Sequence, residues 1–270
     1  MDQRSVSFNL SKLAIITTAL PLGAFVFCIG LSLISNFNES TSTHCKVKNY
    51  LPSISASIGS FSPQKYAWRI AIALHSSPRY FICYLHYLLW HNSSLALLFN
   101  ILEISSLIGL SFISSVENFR ENLSNSLWGE RVQSLPPRMP IAKTNSTFSI
   151  AAIHARFFTV FILASFVYMF VILRQQRLRH RKEIRYYCAC SNIIAGLFAV
   201  YCYFRHNWYC EPGVYTMFSF SEYVLVISNI IFHFQTYYDL RKTQAILVEK
   251  STFPLSADHK VDFDDRVRLI

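Results

Sequence analysis

Ionisable side chains stand where an apolar helix has no ordinary use for them. The run QKYAWRIAIALHSSPR carries Arg69, His75 and Arg79 inside a greasy stretch that continues to Trp90. Such groups are expensive in an apolar span and mark a functional interior by default. A second set lies near the end of the chain, where Tyr215, Glu222, Asn229 and His233 are spaced seven, seven and four apart. That spacing lines one helical stripe. His75 and Glu222 each fall about eight residues into their own apolar run, and at ~1.5 Å per residue they reach similar depth. Together they could act as a general base and its orienting acid on a hydroxyl. Arg79 lies one turn from His75 on the same face, and its forked guanidinium suits a phosphate. Arg69, His206 and Glu211 (with Arg205) would rim the mouth above this pair and contact the same ligand. Asn229, Tyr215 and His233 also fit plain interhelical hydrogen bonding. Glu103, within another apolar run, could pair with a histidine or arginine. No Gly-x-Ser-x-Gly element and no lumenal Cys/His metal cluster is present, so neither a metal nor a bound cofactor is expected.

The elements that must hold these residues follow from composition. The 270-residue chain is 52% hydrophobic and only 15% charged, against about a quarter charged in soluble domains. Several apolar runs approach the roughly 20 residues a bilayer needs. The fold class expected is all-α: a polytopic membrane protein with a six-helix transmembrane bundle. The spans are 13–34, 67–90, 95–115, 150–173, 186–203 and 214–237. The second is the weakest, because Arg69, His75, Arg79 and His86 penalise insertion; a helix lying on the membrane surface is the alternative.

Arg174, Arg177, Arg179, Arg181, Lys182 and Arg185 place the fourth connection in the cytosol by the positive-inside rule. Counting outward, residues 1–12 and the tail 238–270 are cytosolic, and loops 36–66, 116–149 and 204–213 are lumenal. The net charge of +10 is thus an orientation signal and requires no nucleic acid. The sequons at Asn38, Asn122 and Asn145 then meet the glycosylation machinery, whereas that at Asn92 does not. His86 reads as interfacial. Cys45 and Cys210 share the oxidising side, so a bridge between them is expected, with two free thiols as the alternative. The tail reads as polar and flexible, and its Asp262, Asp264 and Asp265 as a solvated acidic patch.

The words NYLPSISASIG, ALHSSPR, YFRHNWYCEPGVYT and EYVLVISNIIFH followed by YYD resemble the Frag1/DRAM/Sfk1 membrane family over most of the chain. About 119–151 looks like an insertion relative to that family, and His154 matches a family histidine. The resemblance implies a Golgi membrane protein, also of the endoplasmic reticulum, that takes part in remodelling the lipid of glycosylphosphatidylinositol (GPI)-anchored proteins. The step implied is reacylation of the lyso-anchor with a saturated chain, which keeps such proteins at the cell surface. The partners implied are membrane lipids, GPI-anchored proteins and other enzymes of remodelling. Two roles stay open, an acyltransferase and a non-catalytic subunit presenting the lysolipid to one. The acyl donor, acyl-CoA or a phospholipid, is open too. The chain has no paired, Gly/Pro-broken helices of the kind that build a transporter's midplane site.

Overall fold

The computed structural model describes residues 5–59, 61–90, 93–113, 145–175, 182–241, 244–248 and 267–269. In chain order the elements are β1 (Ser5–Asn9), α1 (Leu10–Ser35), α2 (Phe37–Ser40), α3 (Ile54–Gly59), α4 (Gln64–Trp90), α5 (Ser94–Phe112), α6 (Asn145–Arg174), α7 (Lys182–Tyr209), α8 (Val214–Leu240), β2 (Gln244–Val248) and β3 (Val267–Leu269). Among the described residues five helices are long and apolar enough to cross a membrane: α1, α5, the Ile153–Arg174 part of α6, α7 and α8. The chain is therefore a multi-pass membrane protein. α4 is as long as α8 but less apolar, and it is the helix that carries Arg69, His75, Arg79 and His86. It nevertheless packs within the bundle, between α1 and α5.

The long helices form a closed ring. Each of α1, α4, α5, α6, α7 and α8 packs on the next, and α1 returns to pack on α8. Outward faces carry Val26, Ile70, Leu163, Ile194 and Leu197, all more than half exposed. Inward faces carry small residues such as Ala14, Ala24, Cys28, Ala71, Ala164 and Ala195. This is the membrane pattern, in which lipid solvates large apolar side chains and small ones let helices approach closely. Gly109 of α5 shows the principle: a Cβ there would lie 2.5 Å from the Phe157 ring of α6. Buried polar side chains tie neighbours together. Asn192 of α7 donates to the Leu225 carbonyl and to Ser228 Oγ of α8 at 2.7 and 2.9 Å. Trp68 Nε1 of α4 donates to Ser111 Oγ of α5 at 3.0 Å.

Several boundaries differ from those expected. α7 runs on to Tyr209, so most of the expected 204–213 loop is helix, and its turn into α8 is confined to Cys210–Gly213. Gly213 takes φ +81° there, a conformation open to glycine for want of a Cβ. α6 begins at Asn145, inside the expected loop 116–149. Among the described residues the regular structure is helical apart from a small antiparallel sheet of order β1–β2–β3, which pairs 5–9 with 244–248 and 245–247 with 267–269. The tail, expected as flexible, thus contributes two strands. Asn122, the side chain of Asn145, most of the expected insertion, the Asn92 sequon, Arg177, Arg179, Arg181 and the acidic tail patch lie outside the described residues.

Candidate functional site

The polar centre of the bundle is built on Glu103 of α5, which is fully buried. Its Oε1 accepts from Arg79 Nη2 of α4 at 2.9 Å and from Asn229 Nδ2 of α8 at 2.9 Å. His233 Nε2 lies 2.9 and 3.2 Å from the two carboxylate oxygens and 2.7 Å from Arg79 Nη2. Asn229 Nδ2 also donates to Ser165 Oγ of α6 at 2.7 Å. The Tyr168 ring lies flat on His233, with centroids 5.2 Å apart and 9° between planes. A buried carboxylate is tolerable only with this much compensation, a cation and further donors converging on one group. Four helices therefore meet at Glu103. Arg79 is not a free phosphate fork: one arm is committed to Glu103, while its Nε has no hydrogen-bond partner among the described residues.

Glu222, expected to orient His75, does something else. Its Oε2 accepts from the backbone N–H of Ile54 at 3.0 Å, the first residue of α3. A carboxylate at a helix start meets orphan N–H groups and the positive end of the dipole. The neighbouring Tyr223 hydroxyl donates to the Pro52 carbonyl, and Thr216 Oγ1 accepts from Tyr50 N–H at 2.9 Å. Ser53 Oγ accepts from Ala56 N–H at 3.1 Å, a local cap that starts α3. The NYLPSISASIG segment is thereby clamped onto α8 by three side chains, with Ile54, Ser57 and Gly59 buried.

His75 is fully buried and is oriented by its own helix. Its Nδ1–H donates to the Ile72 carbonyl at 2.8 Å. A carbonyl can only accept, so the ring is held in the Nδ1–H tautomer with a lone pair on Nε2. That nitrogen has no partner among the described residues. The His75–Glu222 pair is thus not formed: a backbone carbonyl stands where the carboxylate was expected. Ser76 also donates to Ile72 O.

The rim residues separate. Arg69 Nε donates to the Ser111 carbonyl at 3.2 Å, at the end of α5. Arg205 and Glu211 form an exposed two-pronged ion pair, 2.7 and 3.0 Å. This pair holds the Glu211 carboxyl below the usual glutamate range, so Glu211 is engaged with Arg205 rather than open to a ligand. His206 is buried, its ring between those of His44 and Tyr215 at 5.5 and 5.1 Å. Adjacent residues on a helix point about 100° apart, which is why Arg205 reaches solvent and His206 does not. Cys45 and Cys210 are joined by a disulfide that ties the first long loop to the α7–α8 turn. With His44 their sulfurs form a close group of ligand-type atoms, but the two sulfurs are bonded to each other. Asn38 is exposed on α2.

Two cavities meet at the polar centre, sharing Pro21, Arg79, Asn229 and Ile230 in their walls. The larger, about 70 Å³, is mainly apolar and runs between Trp68, Ile72, Leu107, Phe158, Phe161 and Leu225 towards Ile54 and Glu222. His154 lines it too and approaches the Ile113 carbonyl. The smaller, about 40 Å³, has a mixed wall, with Thr17, Thr18, His86, Asn100, His233 and Thr236 beside Ala14, Ile82 and Tyr168. At its far end the buried His86 lies 3.6 Å from Asp239 Oδ2, which accepts from Arg185. Both Arg185 and Asp239 are 3% exposed. The sequence does not mark Asp239, because its place at the very end of an apolar run gives no sign of burial.

The arrangement is that of a helical membrane protein with a partly hollow, charged interior. The family model described as Frag1/DRAM/Sfk1/Cwh43P N-terminal domain matches residues 9–121 and 142–243, and the chain belongs to that family. The match breaks across 122–141, within the expected insertion. Among curated proteins, the chain is 35% identical to "Acyltransferase PGAP2" of Xenopus tropicalis over 89% of this chain and 91% of that protein. It is also 35% identical to "Post-GPI attachment to proteins factor 2" of Drosophila melanogaster, over 94% and 96%. The protein of that name from Caenorhabditis elegans is 33% identical over 91% of both chains. No solved structure matches.

Proposed function

We propose that this protein remodels the lipid of GPI-anchored proteins, taking part in reacylation of the lyso-anchor with a saturated fatty acid so that those proteins stay at the cell surface. The observation that carries the reading is similarity along most of the chain to proteins named for post-GPI attachment and, in two cases, for acyl transfer. The interior supports it: a mainly apolar cavity reaches Arg79, one turn from a histidine whose Nε2 has no hydrogen-bond partner among the described residues. In this reading α4 is the sixth span and both termini are cytosolic. The disulfide and Asn38 face the lumen, and the protein resides in the Golgi membrane and the endoplasmic reticulum. His75 Nε2 would take the proton of the lysolipid hydroxyl, and Arg79 would steady the developing oxyanion.

A second reading, a subunit that presents the lysolipid to a separate acyltransferase, is favoured by one specific feature. Among the described residues His75 has no carboxylate partner that would strengthen it as a base. Deleting the protein from cells and rescuing with wild type or His75→Gln separates the two. Under the enzymatic reading, anchors of deleted cells accumulate as lyso-forms by mass spectrometry, surface display falls, and wild type alone restores both. Full rescue by His75→Gln supports the presenting role. Unchanged anchors in deleted cells would remove the function altogether.

A further inference from the structure

The end of the bundle away from the disulfide carries a feature that none of the interior chemistry uses. α7 has 28 residues, about 42 Å at 1.5 Å per residue, which is enough to span a bilayer. Cys210 follows its last residue and is bridged to Cys45, a bond that forms in an oxidising compartment. That supports the orientation proposed above, with the start of α7 and the end of α6 at the cytosolic surface. Among the neighbours in the ring these two helices are the most loosely packed. Between them lies an open groove of about 510 Å³, lined by Phe170, Leu173 and Arg174 of α6 and by Lys182, Glu183, Tyr186 and Tyr187 of α7.

The cations of this groove are unusual for the molecule. Arg79, Arg185 and Arg205 are each committed to a carboxylate, whereas Arg174 and Lys182 are exposed and join no ion pair among the described residues. The Arg174 guanidinium lies over the Phe170 ring, 4.9 Å from its centroid. Such a contact uses the flat face of the guanidinium and leaves its in-plane N–H groups for an acceptor. Glu183 is the one acid in the wall. The sequence from 174 to 182 sets five basic residues against it, Arg174, Arg177, Arg179, Arg181 and Lys182.

We propose that the groove binds the headgroup of a phosphoinositide in the cytosolic leaflet. Its phosphates lie between Arg174 and Lys182, and its acyl chains run along the lipid-facing side of Phe170, which is 56% exposed. Basic pockets between spans on the cytosolic side take such headgroups, and nearby basic residues add attraction at the membrane surface. The excess of positive charge favours a lipid with a phosphomonoester, about −1.5 to −2 by itself, over phosphatidylserine with its single net charge. A groove in the size range of ligand sites, about 300–1,000 Å³, has room for a ring that a bare phosphate would leave empty. Tyr186 and Tyr187, both mostly exposed, stand where amphipathic rings meet headgroups. The site depends on the orientation of the chain and not on reacylation.

The test mixes full-length protein in detergent with equal amounts of phosphatidylinositol monophosphate, phosphatidic acid, phosphatidylserine and phosphatidylcholine, and reads the retained lipid by native mass spectrometry. The phosphoinositide should be retained in preference to the other three. Arg174→Gln/Lys182→Gln should weaken its binding about 30-fold, the loss expected for two basic residues at a membrane surface. Lys46→Gln/Lys48→Gln, which removes the same charge from the first long loop, should leave it unchanged. In nanodiscs, phosphoinositide should slow hydrogen exchange in peptides covering 170–175 and 182–187 of the wild type and not of the groove variant. Thermal unfolding establishes that the groove variant is folded; if it is not, Lys182→Glu serves in its place. Equal retention of phosphatidic acid or phosphatidylserine, an equal loss in the loop variant, or protection confined to other peptides overturns the proposal. No readout involves acyl transfer or a GPI anchor, so failure here leaves the reacylation reading standing, and failure of that reading leaves this site standing.

Discussion

Replacing Glu222 distinguishes a clamp from a catalyst. Its carboxylate accepts from Ile54 N–H at 3.0 Å, at a helix start that is otherwise buried. Glu222→Ala leaves that N–H without its acceptor, which costs about 1–3 kcal/mol. A penalty of that size raises the opening equilibrium of α3 about 5- to 150-fold. Glu222→Gln keeps a carbonyl oxygen at the same place and should retain most of the protection. Hydrogen exchange on protein in nanodiscs, followed for peptides covering residues 50–59, reads this directly. The expected order is wild type, then Gln close behind, then Ala far faster, with anchor reacylation in cells following the same order. If Glu222→Gln is as inactive as Glu222→Ala while α3 stays protected in both, Glu222 acts chemically and the clamp account is wrong.

Further outcomes follow from the same geometry. Glu103→Ala strands Arg79 in the bundle and should destabilise by about 3–5 kcal/mol, whereas Arg79→Met with Glu103→Leu should recover most of it; thermal unfolding of the three variants decides. Cys45→Ser should cost about 2–4 kcal/mol, and Cys45→Ser/Cys210→Ser little more than either single change. Gly109→Ala drives a methyl into the Phe157 ring, which is half-buried and able to turn. The cost should be about 1 kcal/mol and should vanish when the same change is made in a Phe157→Ala background. The Arg205–Glu211 pair depresses the Glu211 pKa. Its contribution is therefore present above the ordinary glutamate range and lost only as pH falls through the depressed value. The α7–α8 turn, which the disulfide also holds, should keep its exchange protection from pH 7 to pH 5 and lose only a small part of it in stronger acid, because an exposed ion pair contributes little.

Parts of this interior are legible in the sequence for definite reasons. Seven-seven-four spacing places Tyr215, Glu222, Asn229 and His233 on one stripe, and in the structure Glu222, Asn229 and His233 turn into the bundle. A carboxylate inside an apolar run demands a cation, so a partner for Glu103 could be anticipated. Which cation could not, because Arg69, His75, Arg79 and His86 recur along one helix and only the packing of α4 on α5 selects Arg79. The clamp on α3 was hidden, since Pro52 and three serines read as a surface loop until α8 supplies acceptors and donors for its backbone. Asp239 and Arg185 were hidden by position. Residues at span ends are normally solvated, and their burial depends on the α7–α8 contact.

The most direct measurement of the central claim is reacylation by the purified protein. Wild type in nanodiscs is given labelled lyso-GPI with either stearoyl-CoA or a stearoyl phospholipid, beside a His75→Gln variant of unchanged unfolding temperature. The account predicts acyl transfer from one donor by wild type and its loss in His75→Gln. No transfer from either donor, with saturable binding of the lyso-anchor, would contradict catalysis by this chain and leave the presenting role in its place.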